Sequence, residues 1–218
     1  MIEAERFFEA REALAENLAR DVAEELWRAI EAKGKATLAV SGGSTPKLFF
    51  DKLSQADLPW HRVTVTLVDE RQVPESSERS NAKLVREHLL KNKAAAASFV
   101  PLFGNADAAK TQPFDVAILG MGSDGHTASF FPGGDHLAEA LDPDSGKSLI
   151  EMSAPGSGEP RLTFTLPVLE SAGRLKLHIE GADKKQVLEK ALGHGPAEDM
   201  PVRAVLRSAT PLTLYWCP

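Results

Sequence analysis

Apolar side chains recur at Leu14, Leu18, Val22, Leu26 and Ile30, with Phe7 ahead of them. Spacings of four and seven put them on one stripe, which predicts a long amphipathic helix over Phe7–Ile30 with that stripe in the core. Gly34 then supplies a stop signal. Beyond it the period changes. Short runs rich in β-branched and aromatic residues, at Ala36–Val40, Val63–Val68, Phe114–Leu119, Leu175–Ile179 and Leu212–Trp216, predict strands. Helical patterns stand between them at Asn81–Leu90, Leu162–Ala172 and Ala182–Leu192, and the Pro, Gly and Ser rich stretch Asp142–Pro160 reads as a surface loop. Strands alternating with helices predict an α/β fold, a mainly parallel sheet with helices on both faces. Such sheets bind ligands at the carboxyl ends of their strands, so the loops that follow strands are where chemistry is sought.

Composition narrows the class. The 218 residues show no internal repeat and no clear linker, so one domain over residues 1–218 is expected. Apolar residues make up 43% and charged residues 26%, which excludes a disordered or disulfide-stapled chain. The 25 Lys and Arg against 31 Asp and Glu leave a net charge of −6. An acidic chain without a basic run is a poor match for nucleic acid or an anionic membrane, so any anionic ligand must be held by a few placed cations. Cys217, the single cysteine, excludes an internal disulfide and fits a reducing compartment. No run of about 20 apolar residues and no signal-peptide pattern occurs. A cytoplasmic protein, monomer or weak homodimer, is expected, with a small molecule as its partner.

Three loops after predicted strands carry the candidate chemistry. The first is Ser41-Gly42-Gly43-Ser44-Thr45-Pro46. Gly42 and Gly43 let the backbone fold tightly and turn its amides to a ligand; Ser44 and Thr45 add hydroxyls; Pro46 suits the first position of a helix. It is not a Walker A sequence, and locally it reads equally as a turn with Ser44 or Thr45 as helix cap. The second is Asp69-Glu70-Arg71. Alone it reads as a solvated strand end; beside a phosphate loop, Arg71 becomes a fork for anionic oxygens and Asp69 a partner for sugar hydroxyls. Downstream, Arg79-Ser80-Asn81 runs into a helix capped by Ser80 or Asn81.

The third is Gly120-Met121-Gly122-Ser123-Asp124-Gly125-His126. It contains GxGxxG, but it lies mid-chain, Asp124 would oppose a pyrophosphate, and no clean second strand with a terminal acid follows. The glycines imply a loop pressed close to a ligand, with His126 where the next helix should start and Asp124 able to orient it only from within a loop. His61, His88, His136, His178 and His194 lack metal-ligand spacing, so no metal is expected, and no GxSxG elbow of a serine hydrolase occurs. Arg161 and Lys184 read by themselves as surface charges.

Together and in this order the motifs resemble the 6-phosphogluconolactonase family. The matching stretches are SGGSTP at 41–46, VDERQVPESSERSN at 68–81 and FDVAILGMGSDGHTASFFPG at 114–133, with weaker matches at RLTFTLPVL (161–169) and GADKK (181–185). Glucosamine-6-phosphate deaminases share the first loop and the Gly-Asp-Gly-His core. They place an acidic partner for the histidine where this chain has Phe131, which favours the lactonase. The resemblance implies a modified Rossmann-like three-layer sandwich without a nucleotide or other cofactor. It implies hydrolysis of 6-phospho-D-glucono-1,5-lactone to 6-phosphogluconate in the oxidative pentose phosphate pathway. In that chemistry His126 would act as general base on water and Asp124 would orient it. Gly42, Gly43, Ser44, Thr45, Asp69, Arg71, Gly122, Arg161 and Lys184 would hold the substrate. A sugar-phosphate deaminase or isomerase, separable by ammonia release, and a silent sugar-phosphate sensor are the other classes.

Overall fold

The computed structural model describes residues 2–218. The helical stripe forms α1 (Arg11–Lys33), with Leu14, Leu18, Val22, Leu26 and Ile30 buried and Gly34 closing it in the left-handed region at φ 80°. The helix does not reach back to Phe7. Residues Ile2–Phe7 form an edge strand, β1, paired in parallel with β10 (Leu212–Cys217), and Phe7 is 54% exposed. Pairing with a strand some 200 residues away overrides the local helical period, and Ala10, extended at φ −144°, marks the true helix entrance.

The other predicted strands appear as β2 (Ala36–Val40), β3 (Val63–Leu67), β6 (Val116–Leu119) and β9 (Arg174–Glu180), joined by a short β5 (Ser98–Val100). With β1 and β10 they build a seven-stranded sheet in the order β1-β10-β9-β6-β2-β3-β5, every pair parallel. Crossover helices make that possible: α2 (Lys47–Leu53), α3 (Asn81–His88), α6 (Ala182–Leu192) and α7 (Val202–Arg207), with α1, cover the sheet in an α/β sandwich. Strands β2, β3 and β5 run outward one way and β6, β9 and β10 the other, so the strand order reverses between β2 and β6. A crevice opens at such a reversal, above the carboxyl ends of the two strands.

A second sheet was not legible in the residue pattern. Asp69–Arg71 (β4), Leu149–Met152 (β7) and Arg161–Phe164 (β8) form an antiparallel three-stranded sheet in the order β4-β8-β7. It corrects three expectations. Asp69–Arg71 is no solvated strand end: Asp69 is 6% and Glu70 1% exposed. The 142–160 stretch is not all loop, because Leu149–Met152 pairs with β8. Residues 162–172 are not one helix. Thr163 and Phe164 belong to the strand, Thr165 is extended, and only Leu166–Glu170 (α5) is helical, with Pro167 in its first turn where a missing N–H costs nothing.

Candidate active site

A cavity of about 350 Å³ sits at the β2/β6 reversal. Its walls are the loops after β2 and β6, the β4 end, β8 through Arg161, the end of β9 and the first turn of α6. All the sequence candidates except Asp124 line it; Asp124 stands directly behind His126.

The loop after β2 leaves the sheet tethered by Ser41, whose amide and hydroxyl both donate to the Ile118 carbonyl at 3.0 Å. Gly43 turns in the left-handed region at φ 96°, and a Cβ on Gly42 would overlap the Asn81 side chain. Among the described residues no hydrogen bond takes up the amides of 42–45, and neither Ser44 nor Thr45 caps α2. Pro46 stands one residue ahead of the helix rather than in its first turn. Four amides without a protein partner and two hydroxyls in the cavity lining are groups that can receive an anion.

The loop after β6 does not run into a helix; turns continue to the next helix, α4 (Leu137–Leu141), so His126 is a loop residue. That freedom lets Asp124 reach it. Asp124 Oδ1 lies 2.6 Å from His126 Nδ1 and also accepts the His126 amide at 3.1 Å. The bond from the imidazole holds the Asp124 carboxyl down at about 2, against the upward push of its burial. Gly122 carries no Cβ because one would overlap the imidazole, and its amide donates to the His126 carbonyl at 2.8 Å. Thr127 donates to the Gly120 carbonyl at 2.8 Å and Ser129 to Asp69 Oδ2 at 2.6 Å. Between them Ala128 is held at φ 49°, a strained conformation for a residue with a Cβ. Phe131 packs on the imidazole with ring centroids 4.6 Å apart, so an apolar ring stands beside the histidine.

Arg161 is 8% exposed and is not the surface charge its local sequence suggested. It stands opposite Arg71 in the β4–β8 register, donates to the Ser157 carbonyl at 2.9 Å and lies over the Phe131 ring at 5.5 Å. Burial, then the Arg71 charge, lower its affinity for its proton. Lys184, half-buried in the first turn of α6, is likewise shifted down by burial, with Asp124 opposing. Among the described residues neither Arg71, Arg161 nor Lys184 has a carboxylate within ion-pair distance. Three cations that line one cavity with no carboxylate at ion-pair distance suit a phosphate.

Three lining residues escaped the sequence reading. Asn81, taken as a helix cap, turns its side chain to Arg71. His178 and Glu180 at the end of β9 are paired, Nε2 to Oε1 at 3.0 Å, and Glu180 also holds Arg11 at 3.0 Å. The available signal was Lys176, His178 and Glu180 alternating through a strand that, buried on both faces, should read as continuously apolar. Among the described residues no cluster of three His, Cys, Asp or Glu suits a metal, and no helix is long and apolar enough to cross a membrane.

Comparison with known proteins agrees with this architecture. Residues 9–216 match the family described as glucosamine-6-phosphate isomerases/6-phosphogluconolactonase. A 6-phosphogluconolactonase of Rhizobium meliloti (strain 1021) is 55% identical over 225 residues, 97% of each chain. One of Mesorhizobium japonicum is 50% identical, covering 97% of this chain and 94% of the relative. The crystal structure of a 6-phosphogluconolactonase from Shewanella baltica matches with a TM-score of 0.95 at 37% identity, over 100% of both chains.

Proposed function

The chain belongs to the glucosamine-6-phosphate isomerase/6-phosphogluconolactonase family and to its lactonase branch, and on that premise we propose that it hydrolyses 6-phospho-D-glucono-1,5-lactone to 6-phosphogluconate, a step of the oxidative pentose phosphate pathway, with His126 as general base. The observation that carries the histidine's role is its 2.6 Å bond to Asp124 on a loop that opens into the cavity. Asp124 accepts the proton of Nδ1, which fixes the tautomer with Nε2 as the basic nitrogen. Nε2 takes a proton from water as the water attacks C1 of the lactone. The imidazolium, stabilised by Asp124, then returns that proton to the ring oxygen as the C1–O bond breaks, giving the open acid. A δ-lactone is an activated ester, so one positioned base accelerating the step by about 10²–10⁴ is sufficient.

The phosphate lies against the free amides and hydroxyls of Gly42, Gly43, Ser44 and Thr45, with Arg71, Arg161 and Lys184 supplying the charge. Asp69, oriented by Ser129, receives a sugar hydroxyl, and Gly122 keeps the loop close to the ligand. Phe131 packs on the imidazole at the position where deaminases carry a further acidic partner for the histidine, which supports the lactonase over the deaminase reading. The deciding experiment follows acid release from freshly generated phosphogluconolactone, corrected for spontaneous hydrolysis, beside ammonia release from glucosamine 6-phosphate. Acid release above background without ammonia supports the assignment; ammonia without acid release overturns it.

A further inference from the structure

Arg71 reaches the cavity with its guanidinium already half used. Nη1 donates to the Arg79 carbonyl and, at 3.0 Å, to Asn81 Oδ1. Nε is buried, and neither it nor Nη2 bonds to a protein group among the described residues. Sealed from solvent, Nε is out of a ligand's reach, and Nη2 is the donor left for an anion's oxygen. Holding Nη1 therefore decides which donor is presented.

Asn81 holds it from a fixed position. The residue is 3% exposed at the head of α3. Its amide nitrogen donates to the Asp69 carbonyl at 3.0 Å, which forces the side-chain oxygen to point to Arg71. Its backbone N–H is anchored 2.8 Å from Glu70 Oε1, and the Gly42 backbone lies flush against its side chain, where any Cβ would overlap it. One amide group thus ties the strand that carries Arg71 to the loop after β2. Alanine would leave the Asp69 carbonyl unpaired and leave Nη1 held by the Arg79 carbonyl alone, the more exposed of its two bonds.

We propose that Asn81 is a positioning residue for Arg71: by occupying Nη1 it turns Nη2 toward the anionic oxygens of the bound sugar acid. This rests on the sugar-phosphate reading of the cavity. Both polar atoms of the Asn81 amide are taken, by Arg71 and the Asp69 carbonyl, so it acts on the ligand through Arg71.

The test is a double-mutant cycle on binding of 6-phosphogluconate, read by calorimetry with wild type, Asn81→Ala, Arg71→Ala and the double variant. Each single variant should weaken binding roughly tenfold to a hundredfold, the loss expected for one charge-assisted hydrogen bond. The double variant should bind about as weakly as Arg71→Ala alone, because Asn81 has nothing left to orient. In turnover the Asn81→Ala loss should fall in KM, whereas a general loosening of the fold lowers kcat as well. Losses that multiply in the double variant, or wild-type affinity in Asn81→Ala, overturn the proposal. Where Asn81→Ala does not fold, Asn81→Ser, which keeps a polar group at the head of α3, is judged by the same criterion. A folded wild type that neither binds 6-phosphogluconate nor hydrolyses the lactone overturns the functional reading and this proposal together; multiplied losses in a wild type that binds overturn this proposal alone.

Discussion

Arg71 and Arg161 stand directly opposite each other in the antiparallel β4–β8 register, two guanidinium side chains on one face of the small sheet. Like charges opposed across a strand pair are unfavourable, and among the described residues neither has a carboxylate within ion-pair distance to offset the other. An anion between them relieves that repulsion. Arg161→Ala and Lys184→Ala should each raise KM for the phosphorylated lactone by roughly tenfold to a hundredfold. Neither should much alter the slow turnover of the unphosphorylated lactone. Steady-state kinetics on both substrates checks this; equal losses on both would reassign the two residues to the fold or the chemistry.

Glu70 predicts a stability effect. Its buried carboxylate accepts the amides of Arg71, Asn81 and Ala82 at 2.7, 2.8 and 2.7 Å and the Ser80 hydroxyl at 3.1 Å. Burial pushes its carboxyl up, and these four donors offset only part of that push. Glu70→Ala strands two buried N–H groups, of Asn81 and Ala82, and the partly buried one of Arg71; at about 1–3 kcal/mol for each buried group the variant should lose more than about 2 kcal/mol in urea unfolding. A loss within about 0.5 kcal/mol, the range of surface substitutions, would contradict the bonding described.

Asp124 predicts a pH effect. Its carboxyl is held at about 2 by the bond from His126. A depressed carboxyl contributes fully above its unfolded value of about 3.9, and the contribution is lost as the pH falls through the folded value. Between pH 5 and 8, therefore, Asp124 stays ionised, and any acid fall in rate there belongs to protonation of the base. Asp124→Asn replaces a charged acceptor by a neutral one and should lower kcat about tenfold while the acid limb persists. The kcat–pH profiles of wild type and variant check this; an acid limb that vanishes in Asp124→Asn would assign it to the carboxylate.

What could be read from the residues was local. Ala36–Val40 and Val63–Leu67 stand out because strands buried on both faces are continuously apolar, and a glycine-rich turn behind such a strand has one place to go in a parallel sheet. The loops at 41–46 and 120–126 were found that way. The β4-β8-β7 sheet was not, because three short antiparallel strands are specified by one another across some 90 residues rather than by their own period. The same blindness hid Asn81 and Glu70. A cap signal at 80–81 describes the helix, whereas their work at the site depends on Arg71 and on the Gly42 backbone, which only folding brings near. Arg161 looked like surface charge because nothing in its neighbours reveals that Phe131 and Ser157 enclose it.

The most direct test of the account is the hydrolysis rate of 6-phosphogluconolactone by His126→Gln and His126→Ala, corrected for the spontaneous reaction, with folding and 6-phosphogluconate binding checked on the same preparations. If His126 is the base, both variants fold and bind the product, and kcat falls by about 10²-fold or more. A folded variant that keeps more than about a tenth of the wild-type rate, well short of the loss expected for a general base, would contradict that assignment.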